Sequence, residues 1–112
     1  MERIGGVYEV PCNTCNKVYF GETLKSLPFR ISQHQADVRR LNVSNSLFNH
    51  ITEHHSIAWN RASFIFLSRS KNINRLVESF FIKCKDNFNL SPGFFEFDNF
   101  TFAFLKNLFK QR

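Results

Sequence analysis

Residues 5–21 read Gly-Gly-Val-Tyr-Glu-Val-Pro-Cys-Asn-Thr-Cys-Asn-Lys-Val-Tyr-Phe-Gly, and this stretch decides the fold. Gly6 to Val10 alternates and is partly β-branched or aromatic, which predicts a strand. Pro11 to Lys17 is a turn holding Cys12 and Cys15. Val18-Tyr19-Phe20 is a second strand, ended by Gly21. Strands this close in sequence pair as an antiparallel hairpin. Tyr8 and Tyr19, with ten residues between them, then sit on adjacent strands.

Outward from the hairpin, Ser26 caps a helix running to about Arg40, with Pro28 tolerated in its first turn. Leu27, Ile31, Val38 and Leu41 form its apolar stripe, and Arg30 and His34 fall inside or beside that stripe. An arginine aimed toward a sheet needs an anion to meet it. Ser46 to His54 reads as a short helix. Ala62 to Leu67 is almost wholly apolar and is expected to be a central strand or one covered on both faces. Asn72 starts a helix with Ile73, Leu76, Val77, Phe80, Phe81 and Cys84 on one face. Cys84 is read as core, and Glu78 lies between Phe81 and Ile82 around the same helix. Ser91-Pro92-Gly93 breaks the chain. The order implies an α+β fold, a small three-stranded antiparallel sheet flanked by helices. Residues 5–98 form the expected domain and 99–112 a Phe-rich basic tail. From Phe94 onward the chain reads as a covering strand and helix, a dimer contact, or an added segment.

A chain of 112 residues is one small domain with a modest core. Its net charge of +6 and pI of about 9.6 favour a polyanionic partner, nucleic acid being the commonest; the alternative is a merely soluble basic surface. Three cysteines, two of them in Cys-x-x-Cys, argue against a disulfide framework and for metal or redox use in a reducing compartment. The first residues hold no apolar signal-peptide region, and no apolar run reaches the roughly 20 residues of a membrane span. The expectation is an intracellular protein with no membrane partner.

The chemistry-bearing residues suit phosphodiester hydrolysis, which needs a positioned water and positive charge on the transition state. Arg30 offers a planar, permanently charged fork to phosphate oxygens. Glu78 can hold magnesium, an ion that keeps several waters and few protein ligands. Tyr8 and Tyr19 can orient or deprotonate the water. Taken singly, the tyrosines are ordinary strand residues, Arg30 and His34 ordinary helix residues, and Glu78 a partner of Arg75 or Lys71. Cys12, Cys15, His50 and His55 have the composition of a tetrahedral zinc site, or else are turn cysteines and exposed histidines. A thiol redox role for Cys12 and Cys15 would need a helix N-terminus, and they lie in a hairpin turn.

Gly6-Val7-Tyr8, Tyr19-Phe20-Gly21, Leu27-x-x-Arg30-x-x-x-His34 and Glu78 on a late helix resemble the GIY-YIG endonuclease family. The middle residues of the first two motifs, Val7 and Phe20, depart from isoleucine and do so conservatively. The resemblance implies Tyr8 as general base, Tyr19 as its support, and Arg30 as transition-state stabiliser. It implies Glu78 as the ligand of a single Mg2+, His34 as an assistant, and a late asparagine that holds the site. Asn89 is chosen for the last role, with Asn87 the competitor. Cys12 and Cys15 in the hairpin, Tyr19-Phe20-Gly21-Glu22-Thr23, and His55-Ser-Ile-Ala-Trp59 resemble the endonuclease domain of Penelope-like retroelements. That resemblance implies a structural Zn2+ on Cys12, Cys15, His50 and His55, with His54 the alternative to His55. The expected activity is metal-dependent nicking of DNA in the nucleus, serving a reverse transcriptase domain absent from this chain. The competing expectation is a catalytically inactive zinc-stabilised nucleic-acid-binding module. Lys17, Lys25, Arg39, Arg40, Arg69, Lys71 and Arg75 are candidate phosphate contacts.

Overall fold

The hairpin forms in register, with Tyr8 opposite Gly21 and Val10 opposite Tyr19. In the computed structural model, which describes residues 3–93 and 97–110, it consists of β1 (Ile4–Pro11) and β2 (Val18–Ser26). The chain continues through α1 (Leu27–Arg39), α2 (Ser46–Thr52), a 3-10 turn (Trp59–Arg61), β3 (Ser63–Leu67), α3 (Lys71–Cys84) and α4 (Asn99–Lys110). The fold is α+β, with helices packed around one three-stranded antiparallel sheet.

Two strand readings are corrected. Gly21 does not end β2; the strand runs on to Ser26. Glycine stands there because a Cβ would land on the Tyr8 phenol lying across the strand. The sheet order is β2-β1-β3, so β1 is the central strand and the apolar β3 an edge. β3 is only half-buried, while Val7, Tyr8 and Val10 of β1 are fully buried. The central strand escaped notice because its buried positions include Gly5 and Gly6, which carry no apolar side chain. At Gly6 a Cβ would strike the Phe66 carbonyl of β3, so the close pairing of β1 with β3 depends on it.

Ser26 caps α1 by accepting from the Phe29 amide, and Pro28 sits in the first turn. Leu27 and Ile31 pack on the core formed by Tyr8, Val10, Leu47 and Ile57. Leu41 does not belong to that stripe: it lies past the helix end with φ 57° and is 68% exposed. Asn45 caps α2, which stops at Thr52 rather than His54. Ser70 caps α3, whose Val77 and Phe80 are buried. Ile73 and Cys84 are exposed, contrary to the core reading of Cys84.

Of the segment expected from Phe94 onward, residues 94–96 and 111–112 lie outside the described residues. α4 lies on α3, with the Phe109 ring stacked on Phe80 at 4.9 Å and tilted on Phe81 at 5.4 Å. Its other face leaves Phe100 and Phe104 exposed. Among the described residues, no helix is long and apolar enough to cross a membrane.

Candidate active site and metal cluster

The hairpin register brings Tyr8 and Tyr19 together with ring centroids 6.3 Å apart. The His34 ring of α1 stands edge-on to both, 5.9 Å from Tyr8 and 5.3 Å from Tyr19. Tyr19, Arg30, His34, Asn45, Glu78 and Asn89 line one cleft of about 300 Å³. Arg30 also borders a second groove on the α1 side that extends to Arg40. The sequence candidates therefore converge, although they come from β2, α1, α3 and the loop after α3. The two phenols lie at different depths. Tyr19 faces the cleft, whereas Tyr8 is fully buried beside His34.

Burial is the leading influence on Tyr8, Tyr19, His34 and Glu78. It raises the Tyr8 phenol well above its ordinary range, helped by Tyr19 and opposed by Arg30. Tyr19 is pushed up to about 12 by burial and then by the Glu78 charge. His34 is lowered to about 4 by burial and then by Arg30, against a smaller pull from Asp37. Glu78 is raised to about 7 by burial and Glu22, against Arg75 and Arg30.

Asn89 ties the loop after α3 to the backbone of β2. Its Nδ2 donates to the Phe20 carbonyl at 2.7 Å and its Oδ1 accepts from the Phe20 amide at 2.9 Å. The side chain thus extends the pairing begun where Phe88 donates to the Val18 carbonyl. Asn87 instead donates to the Ile82 and Lys85 carbonyls at the end of α3. Lys17, Lys25, Arg39, Arg40, Arg69 and Lys71 are exposed, and Arg75 lies 4.0 Å from Glu22.

Cys12, Cys15, His50 and His55 form a second cluster and could bind a metal ion: one ligand atom from each lies within 4.8 Å of all the others. Cys12 Sγ is 3.4 Å from His55 Nδ1, and Cys15 Sγ is 3.5 Å from His50 Nε2. Zinc bonds of about 2.3 Å to sulfur and 2.0 Å to nitrogen imply tetrahedral edges of about 3.5 Å, so the donor set fits that ion. The Thr14 amide donates to Cys12 Sγ, and the Asn13 amide donates to the Ser56 carbonyl. His54 takes φ 68° just after α2, which reverses the chain and presents His55 rather than His54. Burial opposes ionisation of Cys12, yet the Thr14 and Cys15 amides and the two imidazoles prevail and lower its thiol to about 6.

Asn45, Asp37 and Phe88 were not anticipated. Asn45 stands where a helix cap belongs, just before Ser46, so the capping part was readable. Its contact with His34 Nδ1 at 3.1 Å, 11 residues back in the chain, was not. Phe88 stacks on His50 at 3.8 Å and lies 6.2 Å from Tyr19, so one ring touches both the metal cluster and the phenol pair. Comparison of the chain with family models, with curated proteins and with solved structures gives no match.

Proposed function

We propose that the chain is a metal-dependent DNA endonuclease of the GIY-YIG kind, with a zinc-stapled hairpin like that of Penelope-like retroelements. The observation that carries this reading is the convergence of Tyr19, Arg30, His34, Glu78 and Asn89 on one cleft, with Tyr8 directly behind it. A module that only binds DNA has no use for a half-buried carboxyl beside an arginine and two paired phenols.

Arg30 would meet the non-bridging oxygens of the scissile phosphate with its guanidinium fork. Glu78 would hold one Mg2+, whose charge offsets that developing on the phosphate. Tyr19, at the cleft surface, would orient the attacking water. Tyr8 is the general base that the family resemblance implies, with His34 at its oxygen. Asn89 keeps β2, and with it Tyr19, in place. Cys12, Cys15, His50 and His55 would hold a structural Zn2+ tying the hairpin turn to α2. The substrate would be nuclear DNA, met along the basic α1 side through Arg30 and Arg40. The nick would leave a 3′ hydroxyl for a reverse transcriptase domain to extend.

The test is nicking of supercoiled plasmid by the zinc-loaded chain in magnesium. Glu78→Ala and Arg30→Ala are each expected to lower nicking by at least about a hundredfold while the fold is retained. A well-folded wild type that shifts DNA on a gel and never nicks it would overturn the enzyme reading in favour of the binding module.

A further inference from the structure

We infer that Asn45 fixes the single ring proton of His34 on Nε2, so that His34 donates to the Tyr8 phenol oxygen and cannot accept the Tyr8 proton. His34 is buried, and each ring nitrogen has one partner. Nε2 lies 2.6 Å from Tyr8 Oη, and Nδ1 lies 3.1 Å from Asn45 Nδ2. A phenol can donate or accept, so the Tyr8 contact alone leaves the proton unassigned. An amide nitrogen only donates, so the orientation of the Asn45 amide decides the matter.

That orientation is fixed by three other contacts. Asn45 Oδ1 accepts from the Leu47 amide at 2.8 Å and the Phe48 amide at 3.2 Å, capping α2. Asn45 Nδ2 donates to Asp37 Oδ2 at 3.0 Å. Flipping the amide would set its NH2 against two backbone donors and its oxygen against a carboxylate. The NH2 therefore faces His34, and Nδ1 must be the bare, accepting nitrogen. Burial and Arg30 keep the ring neutral, with one proton to place. That proton is on Nε2.

The consequence runs opposite to a nucleophile–histidine–carboxylate triad. There the third group accepts from Nδ1–H and leaves Nε2 free to take a proton. Here Nε2 already carries its proton and points it at the phenol oxygen. Such a donor stabilises negative charge on Tyr8, the direction in which Arg30 also acts. Within the nuclease reading, on which this part rests, Asn45 and Asp37 are positioning residues for Tyr8 that act through His34.

The experiment is long-range ¹H–¹⁵N NMR of the zinc-loaded chain labelled at histidine, with His34 assigned by its loss in His34→Gln. Nε2–H is the expected form, and Nδ1–H in the wild type would overturn the inference without recourse to any variant. The double exchange Asp37→Asn with Asn45→Asp keeps the net charge and a good helix cap. It places a carboxylate where the amide NH2 stood. The tautomer is expected to reverse, and nicking to fall about ten- to a hundredfold, the worth of a hydrogen bond to a charged group. A folded exchange variant that keeps Nε2–H overturns the assignment to Asn45. A reversed tautomer with undiminished nicking overturns the positioning role. If the exchange does not fold, Asn45→Ser keeps a capping oxygen and lacks the amide. A mixture of tautomers is then expected, and unchanged Nε2–H overturns the claim. A wild type with Nε2–H that nicks under no divalent ion removes the nuclease reading and leaves the tautomer standing.

Discussion

The metal cluster and the cleft are built on the same hairpin and treat charge in opposite ways. At the cluster, local amides and imidazoles overcome burial and favour the thiolate of Cys12. At the cleft, burial wins at Tyr8, Tyr19, His34 and Glu78, and each is driven toward its neutral form. The cluster brings together four groups that could hold a metal ion. The cleft gathers these neutral groups around the charged Arg30, and in the proposed reading a phosphate and its counter-ion would supply the missing charge from outside. The difference teaches that burial can lose or win on one small hairpin, and that at neutral pH its cost to stability falls on Glu78, which is ionised in the unfolded chain, whereas the phenols are neutral in both states.

The sharpest way to break this contrast is to remove each metal separately. Zinc removal with a chelator, or Cys15→Ser, is expected to lower the melting temperature by about 20 °C or more, because a structural zinc supplies several kcal/mol to so small a domain. Omitting magnesium alone should shift the melt far less than zinc removal does and abolish nicking. A zinc-free chain that melts like the loaded one would end the staple reading.

Next in size is Gly21→Ala. The added methyl displaces the Tyr8 phenol, for an expected loss of about 2–3 kcal/mol in stability. Nicking should be lost with every catalytic side chain still present and zinc stoichiometry unchanged. Retained nicking would mean that the position of the Tyr8 ring is immaterial.

The smallest effect has the opposite sign. Glu78 titrates near 7 in the fold against an ordinary 4.5, so the stability it withholds at neutral pH is restored as pH falls through that window. Glu78→Gln is therefore expected to raise stability by about 2 kcal/mol above pH 7 in magnesium-free buffer, with the gain fading toward pH 5. Thermal melts of variant and wild type across pH 5–8 read the difference directly. A variant no more stable than wild type at pH 8 would put Glu78 outside the strained set.

Much of this was legible in the chain. Ser26 announced α1, the hairpin placed Tyr8 beside Tyr19, and Cys12, Cys15, His50 and His55 were named before their atoms were seen to meet. What was not legible has identifiable causes. The central strand was misassigned because a run of apolar residues in β3 looks more buried than a strand that opens with two glycines, although pairing on both sides is what makes β1 central. The end of α2 was missed because His54 takes a left-handed conformation without the glycine that usually marks one. The depth of Tyr8 behind Tyr19 depends on which residue sits opposite Gly21, a matter of register. The Asn45–His34 contact joins two elements through side chains alone and leaves no periodic trace.

Asn45 also narrows what sequence can stand at its position. Serine, threonine, aspartate and asparagine all serve as helix caps, so an ordinary cap drifts freely among them. Here the same side chain must accept with one atom and donate with another to His34 and Asp37. Serine and threonine have no amide to offer, and aspartate offers an acceptor where a donor is required. A search pattern for distant relatives follows: a helix histidine with an asparagine 11 residues later, immediately before a short helix. That pattern would find chains built on the same contact whatever stands at their tyrosine positions.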